Sequence, residues 1–402
     1  MDCSALLPGE FRLRAALGFS TQWSPDRAVS EAWAGVRQAW APNDSAAPSA
    51  VIALATAAWG GAALTEMAER VAAEGWGDPA VIGASVEAIE VGGAWWANEP
   101  AVALLALTGV EAHVFRADEI QGQERSVAAE WGAAFPGQGP RSGDLMIVAA
   151  DGLSVAADRL LSGMRESLPK LASIGFGATE PSGGPALLWC DDEVVETGCA
   201  GLLLRSGQAA KVDVVHPGKV LCEPIPITRA RGAWIYSLGG RPALEVLGQY
   251  QQNPASDDLQ SIWVGLLDAD SWGAAAEPEK WVIRSLAGLD PANSAFCVPA
   301  SAVQSGMHLV FLKPEPDGSS GLEAKSTGPD PGSGGRGEVC QLSLTHFSEA
   351  SGTPRRRVAP SITPSGALRL GVSAAYQWSL PAGQTGPASL HTHSSVVASW
   401  RG

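Results

Sequence analysis

Three serines in this 402-residue chain stand two residues after a glycine, at or near the end of an apolar run: Ser20, Ser85 and Ser154. A serine on such a turn is the nucleophile of many hydrolases, where a second glycine permits the sharp turn and a base accepts the hydroxyl proton. None of the three has that closing glycine. The pattern favours small residues in tight turns, and we single out no catalytic residue.

An enzyme remains one interpretation of the chain. A hydrolase or transferase would use the hydroxyl of Ser85 or Thr179, and it would need a base within hydrogen-bond reach. The sequence offers no obvious base, although His113 or His216 would serve if the fold brought either one close.

Nucleotide and metal motifs are weak in this chain. The run Gly332–Gly337 spells G-x-G-x-x-G, but a dinucleotide site requires a strand before it and a helix after it, and both flanks are rich in loop residues. His391 and His393 lie in a tail without periodicity. Cys190 and Cys199 flank a predicted hairpin and are interpreted as buried thiols. We therefore predict no cofactor and no metal.

Charge and cysteine usage limit the class of protein further. The formal net charge is −15, which argues against nucleic acid or an anionic membrane as a partner. From Ala350 to Gly402 there are five arginines and no acid, so that tail has a composition of its own. Six cysteines without C-x-x-C spacing, and no continuous apolar segment at the start of the chain, predict reduced thiols and a cytoplasmic protein.

The elements that must position these residues occur twice. Residues 49–115 and 143–215 each have the pattern strand, amphipathic helix, strand, loop and strand, and Gly83 and Gly175 occupy equivalent positions in the two units. Repeats at a fixed spacing indicate a duplicated supersecondary unit. We predict an α/β (mixed α+β) fold: an N-terminal domain over 14–240 with the duplicated β-α-β-β unit, a smaller C-terminal α+β domain over 241–349, and an unstructured tail over 350–402.

Finer expectations concern single elements. A first strand over Leu13–Phe19 precedes a helix that Ser24 caps, with Pro25 at its first position. At Gly83–Ser85 the backbone either turns or is approached closely by another group, and residues 117–143 form a connector. The helix of the second unit turns Leu153 inward together with residues 160, 164 and 168.

Short motifs along residues 14–313 resemble the FIST family (F-box and intracellular signal transduction). They are the opening Ala16–Ser20, the run Val81–Ser85, the run Ile174–Gly177, the junction Ile227–Thr228 and the stretch Trp281–Asp290. The last of these is similar to the start of a FIST C-terminal domain. Beyond Pro314 the chain departs from the family, because Gly335–Gly337 precedes Cys340 within a Gly/Ser/Pro-rich segment, predicted as a loop over 314–337.

The resemblance implies a sensory module that binds a small ligand, such as an amino acid or a similar small carboxylate, and that signals to a protein not yet identified. Relatives with an F-box act as protein-interaction adaptors, which is the second interpretation; this chain has too few residues before the domain for an F-box. Glycine amides, hydroxyls and one guanidinium would form the ligand site: Gly83, Ser85, Gly175, Gly177, Thr228 and Arg284. The alternative for each is structural, as a turn glycine, a capping residue, or an arginine paired with Asp290.

Overall fold

The computed structural model describes most of the chain. The described residues are 13–40, 47–92, 94–137, 139–141, 143–179, 186–195, 197–206, 210–215, 218–250, 262–267, 281–298, 303–314, 338–345, 368–373, 377–380, 389–391 and 395–401. The G-x-G-x-x-G motif, the predicted loop beyond residue 314, His216 and His393 lie outside them.

Helices and strands alternate through the first half of the chain, and strands dominate the second half. The helices are α1 (Pro25–Ala39), α2 (Gly61–Glu74), α3 (Glu124–Ala133), α4 (Ala157–Ser167) and α5 (Ala243–Leu247). The strands are β1 (Arg14–Ser20), β2 (Ala50–Thr56), β3 (Ala80–Val86), β4 (Ala88–Val91), β5 (Ala94–Ala97), β6 (Val102–Thr108), β7 (Glu111–Ala117), β8 (Leu145–Asp151), β9 (Ala172–Ala178), β10 (Leu188–Cys190), β11 (Glu193–Val195), β12 (Cys199–Arg205), β13 (Lys211–Val215), β14 (Gly218–Val220), β15 (Ile225–Arg231), β16 (Trp234–Leu238), β17 (Arg241–Pro242), β18 (Trp263–Leu267), β19 (Val282–Ser285), β20 (Gly288–Asp290), β21 (Ala295–Cys297), β22 (His308–Pro314), β23 (Glu338–Thr345), β24 (Leu368–Ser373), β25 (Gln377–Leu380), β26 (Ser389–His391) and β27 (Ser395–Arg401).

Two six-stranded sheets share one pattern of pairing. The first sheet has the order β1-β6-β2-β3-β10-β11 and the second has the order β7-β12-β8-β9-β25-β26. In each, the third and fourth strands are parallel and the other pairs are antiparallel. The mixed α+β class predicted from the sequence is confirmed. That the matching sheets descend from a duplication stays a prediction.

The central strands of these sheets are buried on both faces. Along β2, Ile52 and Leu54 point into a core between the sheets, whereas Val51 and Ala53 point outward against α1 and α2. Strand β8 alternates in the same way, with its outer face covered by α3 and α4. Strands covered on both faces read as continuous apolar runs, which is why the runs in the sequence located them correctly.

A third sheet closes the core between the first two. Its order is β13-β27-β23-β24-β4-β5, and its apolar side chains join the same cluster as Ile52 and Ile147. The expected unstructured tail is therefore wrong for residues 368–373, 377–380, 389–391 and 395–401, which form strands. Strand β27 is only seven residues long and pairs with β13 and β23; a strand defined by such distant partners carries little local signal.

The fourth sheet contains nine strands and builds a separate core. Its main path is β19-β18-β22-β15-β16-β21-β20, with β14 beside β22 and β17 beside β16. Ile227, Val264, Phe296 and Phe311 lie at the centre of this core. The domain boundaries proposed from the sequence stay predictions.

Several local expectations are corrected. The connector 117–143 contains helix α3, whose buried Val127 and Trp131 pack against α4 and the second sheet. Residues Gly83–Ser85 continue strand β3 and do not turn, whereas the alternative of a close approach is confirmed at Gly83, which Trp189 contacts. Leu153 is 71 % exposed, because α4 begins only at Ala157 and leaves Leu153 in the preceding loop.

Helix α1 begins at Pro25 as predicted, and Val29, Trp33 and Val36 on its inner face are buried. Ser24 occupies the N-cap position but makes no side-chain capping hydrogen bond.

Trp400 provides a test of the contribution of the tail. Its side chain is 1 % exposed in the shared core, so we expect Trp400→Ala to lower the free energy of unfolding by about 3–5 kcal/mol through lost burial and a cavity. Trp23→Ala is the matched control, because Trp23 is 80 % exposed and its removal should change stability by less than about 0.5 kcal/mol. Urea unfolding of both variants measures the difference. Equal, small effects would show that the tail is not part of the core.

Candidate functional site

Ser85 joins the carboxyl ends of two strands from different sheets. Its hydroxyl donates to the carbonyl of Thr179, 3.0 Å away, and accepts from the amide of Leu187 at 3.0 Å. The backbone amide of Ser85 donates to Leu187 at 2.8 Å, and its carbonyl accepts from Thr179 at 3.1 Å. The side chain is fully buried. Both hydrogen-bonding roles of this hydroxyl therefore serve to hold β3, β9 and the segment before β10 together.

Asp151 organises the adjacent strand end in a similar way. One carboxylate oxygen accepts from the amides of Leu153 and Ala186, at 3.3 and 3.2 Å, and the other accepts from the amide and the hydroxyl of Ser154. A carboxylate at the end of a strand that accepts several amide protons fixes the loop that follows it. The hydroxyl of Ser154 is thus directed at an acceptor and not at an open site.

Gly83 and Trp189 form a close contact between neighbouring strands. The two residues are paired in register, and a methyl group on Gly83 would overlap the Trp189 indole, which is fully buried. Glycine is required here because it leaves space for the ring. Gly175 and Gly177 lie in β9, where Gly175 pairs with Trp378 and Gly177 pairs with Ala150.

Thr228 and Arg284 lie in the fourth sheet. Thr228 is exposed; its hydroxyl lies 2.7 Å from the Ser237 hydroxyl and accepts from the Gly240 amide at 3.1 Å. Arg284 is buried, and its Nη1 donates to the carbonyl of Ile283 at 3.0 Å. Burial lowers the pKa of Arg284 to about 10. The Asp290 carboxylate, which the sequence offers as its partner, instead accepts hydrogen bonds from Asn293.

The structure therefore brings part of the predicted site together. The bond between Ser85 and Thr179 joins the carboxyl end of β3 to that of β9, and Gly83 and Gly175 lie further back, in the middle of these two strands. Thr228 and Arg284 belong to other strands in another sheet. A ligand role for these six residues stays a prediction.

A cavity of about 650 Å³ lies at the opposite, amino-terminal edge of β2 and β3, beside the first residues of β7. We call it the carboxylate cavity, because Asp78, Glu111 and Asp191 line it together with His113. The rest of its described lining is small or apolar and contains no lysine or arginine: Ala47, Pro48, Ser49, Gly77, Pro79, Ala80, Val110, Ala112 and Val114. The cavity thus lies between the first and second sheets, and three carboxylates line it.

Asp191 is the most constrained carboxylate of this cavity. It occupies the turn between β10 and β11 with a backbone φ of 52°, and one of its oxygens accepts from the Val81 amide at 2.9 Å. Burial raises the pKa of Asp191; the nearby Asp192 and Asp78 add to the rise, and the hydrogen bond from Val81 opposes it. A partly desolvated carboxylate in a cleft marks a candidate binding group.

Glu111 and His113 form the opposite wall on strand β7. The Nε2 atom of His113 lies 2.9 Å from Glu111, and Arg205 and Arg141 each approach the same carboxylate at 3.8 Å. The hydrogen bond with His113 is the main cause that lowers the pKa of Glu111, and the two arginines lower it further. Glu111 therefore stays ionised beside the cavity over a wide pH range.

This set of residues is not evident as a site from the sequence. The sequence suggests His113 only as a base for Ser85, and it lies instead against Glu111. Signals are present: Asp78 stands in a Gly-Asp-Pro turn, and Asp191 begins the Asp-Asp turn of the predicted hairpin. The three carboxylates are separated by 33 residues or more along the chain, so only the fold brings them together.

A second cavity, of about 390 Å³, lies between the amino ends of α3 and α4. Glu124 there accepts hydrogen bonds from the amides of Gly122 and Ala156, at 3.1 and 3.2 Å, and thereby binds the loop before α4. Burial acts to raise the pKa of Glu124, but the amides of Glu124 itself, Gly122 and Ala156 outweigh it, so the pKa is lowered. This carboxylate has a structural role.

No helix in the described part of the chain has the length and apolar character needed to cross a membrane. Among those same residues, no three histidines, cysteines or acids are placed to hold a metal ion.

Gly83→Ala tests the contact with Trp189. We expect the added methyl group to cost roughly 1–3 kcal/mol of unfolding free energy through overpacking. Gly61→Ala is the control, since a methyl group there meets nothing within 4 Å and lies in the first turn of α2, so it should be neutral or slightly stabilising. In a Trp189→Leu background the penalty at position 83 should shrink. Urea denaturation of the double-mutant cycle measures this coupling, and an unchanged penalty would contradict the contact.

Comparison with known proteins identifies the first part of this architecture. The model of the FIST N domain matches residues 50–241, and no FIST C domain is detected, so the second domain of the resemblance stays a prediction. An uncharacterised protein of Mycobacterium tuberculosis is 29 % identical over 74 % of this chain and 76 % of its own length. An uncharacterised protein of Mycobacterium bovis is 28 % identical over 58 % of this chain and 60 % of its own. Residues 50–241 thus match the FIST N domain, a family of sensory domains in signal transduction.

Proposed function

We propose that this chain is a small-ligand-binding sensory module of signal transduction, and that the carboxylate cavity receives the ligand. The observation that carries the proposal is a cavity of about 650 Å³ whose described lining holds three carboxylates and no basic side chain other than His113. Ligand pockets in proteins range over about 300–1,000 Å³. The match to a sensory domain family supports the same function.

The charges of the cavity favour a ligand that carries an ammonium group, such as an amino acid or a small amine. Asp78 and Asp191 lie on one side and Glu111 on the other, so an ammonium group placed among them would form charge-assisted hydrogen bonds. A simple carboxylate would meet like charges there. The cavity therefore favours the amino acids over the small carboxylates that the resemblance also implied.

The position of the cavity suggests how binding would be sensed. Asp191 belongs to a turn of the first sheet, whereas Glu111 and His113 belong to the edge strand of the second sheet. A ligand that bonds to both walls would favour one arrangement of the two sheets, which is the differential affinity that a sensor requires.

A ligand screen on the full chain tests the proposal. We expect amino acids or amines to raise the melting temperature. A ligand at a concentration one hundred times its dissociation constant should raise the free energy of unfolding by about 2.7 kcal/mol. Acetate and succinate should have no effect. Asp191→Asn should weaken binding at least tenfold in a calorimetric titration, because one anionic partner is lost. Thr228→Val, an exposed member of the sequence-predicted site, is the matched control and should bind normally.

Two outcomes of this screen would contradict the cavity as the site. The first is that none of the amino acids or amines changes the melting temperature of a protein that melts cooperatively. The second is a ligand whose binding is lost in Thr228→Val and retained in Asp191→Asn, which would move the site to the fourth sheet.

Asp191 should reduce stability at neutral pH. Its pKa is raised in the folded state, so the folded protein binds the proton more tightly and the unfolding free energy falls as pH rises from about the ordinary pKa of 3.8 through the folded value. An asparagine at this position keeps the acceptor for the Val81 amide and tolerates the positive φ. Asp191→Asn should therefore raise the melting temperature at pH 7 and have little effect at pH 3.

Asp192→Asn removes the same charge from the exposed neighbour in the same turn and should stabilise much less. Thermal melts from pH 3 to pH 8 compare the two variants. An Asp191→Asn protein that is less stable than the parent at pH 7 would show that the carboxylate is structural.

A further inference from the structure

The hairpin of β15 and β16 presents a cationic and aromatic face in a protein whose formal net charge is −15. Arg229, Arg231, Trp234 and Tyr236 lie on this hairpin; both arginines are exposed and both aromatic rings are half-buried. We call this surface the basic hairpin. Between Ile225 and Arg241 the sequence contains three arginines and no acid, although the whole chain has a net charge of −15.

The described part of the chain gives neither exposed arginine an acidic partner. Arg241, at the end of the hairpin, bonds to Glu245 at 2.6 Å. Among the described residues, Arg229 and Arg231 form no ion pair, and the contact recorded for Arg229 is with an aromatic ring. At physiological salt, charges are screened beyond about 8 Å. A partner that comes within this distance of the hairpin therefore meets the positive charges of Arg229 and Arg231.

The local geometry holds these groups in place. The pairing of β15 with β16 is irregular between Ile227 and Ala230, and Arg229 lies with its guanidinium carbon 5.1 Å above the Tyr236 ring. The Thr228 hydroxyl bonds to Ser237 and to the Gly240 amide behind this stack. A stacked guanidinium loses less rotational freedom on binding and keeps its donor edges free for a carboxylate.

The composition of the surface fits a protein partner. Tryptophan, tyrosine and arginine are the residue types that contribute most binding energy at protein interfaces. Bidentate guanidinium–carboxylate pairs give such a surface its specificity. A second copy of this chain is the less direct occupant, because two copies of this face would set arginines against arginines, and a contact with an acidic surface elsewhere would be head-to-tail and form a ring or a filament.

We propose that the basic hairpin is the surface through which this protein docks a glutamate- or aspartate-rich segment of a signalling partner. This interaction goes beyond the ligand-binding function and uses residues remote from the carboxylate cavity in sequence and in sheet.

Binding of a fluorescein-labelled deca-glutamate to the full chain tests the proposal by fluorescence anisotropy at several salt concentrations. We expect saturable binding that weakens as salt rises. The double variant Arg229→Ala and Arg231→Ala should weaken it at least tenfold. Both side chains are exposed, so the variant should fold, and its melting curve verifies this.

The double variant Arg27→Ala and Lys170→Ala is the matched control, because it removes the same charge from two other exposed positions. Retained binding in this control supports the proposal, and equal loss in both variants overturns it, since net charge alone would then decide. No binding of deca-glutamate by the parent chain also overturns it. An oligodeoxynucleotide of the same charge that binds as tightly as deca-glutamate, or more tightly, also overturns the proposal. Self-association of the parent chain, measured by sedimentation and abolished in the hairpin variant, overturns it as well. Amine binding in the cavity is measured separately, so either proposal can fail alone.

Discussion

The structure depends on the burial of both faces of its central parallel strands. Strands β2, β3 and β8 carry apolar side chains on each side, so each needs two covering layers. Strand β9 turns Ile174 and Phe176 to the inner core and has serine and glycines at the alternate positions. Helices supply the outer layers. The inner layer is a single core shared by three sheets, and residues from the last strand of the chain, including Val396 and Trp400, are part of it. The fold of the first half is therefore incomplete without the end of the chain.

This requirement explains which polar side chains are hydrogen-bonded within the fold and which ones line open space. At the carboxyl edge of the parallel strands, the side chains of Ser85 and Asp151 form hydrogen bonds with backbone groups directly after β9 and before β10. At the amino edge, Asp78, Glu111 and Asp191 surround open space. Asp191 is held there although burial disfavours its charge. A group that reduces stability and faces a cavity is more readily explained by binding than by packing.

The charges of the molecule are arranged on separate surfaces. The carboxylate cavity is negative and lies between the first two sheets, whereas the exposed arginines of the basic hairpin lie in the fourth sheet. We propose the first surface for a small cationic group and the second for an acidic segment of a protein. A module that receives a ligand at one place and contacts a partner at another has the two sites that signalling by linkage requires.

The sequence by itself determined the elements that depend on local patterns. The apolar runs 51–55, 101–107, 145–149 and 199–204 predict strands, and the structure has β2, β6, β8 and β12 there. The helical spacing of Val29, Trp33 and Val36 predicts α1, and Pro25 marks its first residue. The class of fold and the match to the FIST N domain followed from these elements and from short motifs.

Only the tertiary structure decided which elements meet. The sequence does not show that Trp189 lies on Gly83, that the tail strands enter a shared core, or that Asp191 faces Glu111. It offered Ser85 as a ligand contact, whereas the fold uses that hydroxyl for hydrogen bonds to the backbone. Periodicity reports the environment of one segment, whereas a site built from residues 78, 111, 113 and 191 depends on strand pairing and sheet packing between distant segments. That dependence is why composition and spacing revealed the strands but not the cavity between them.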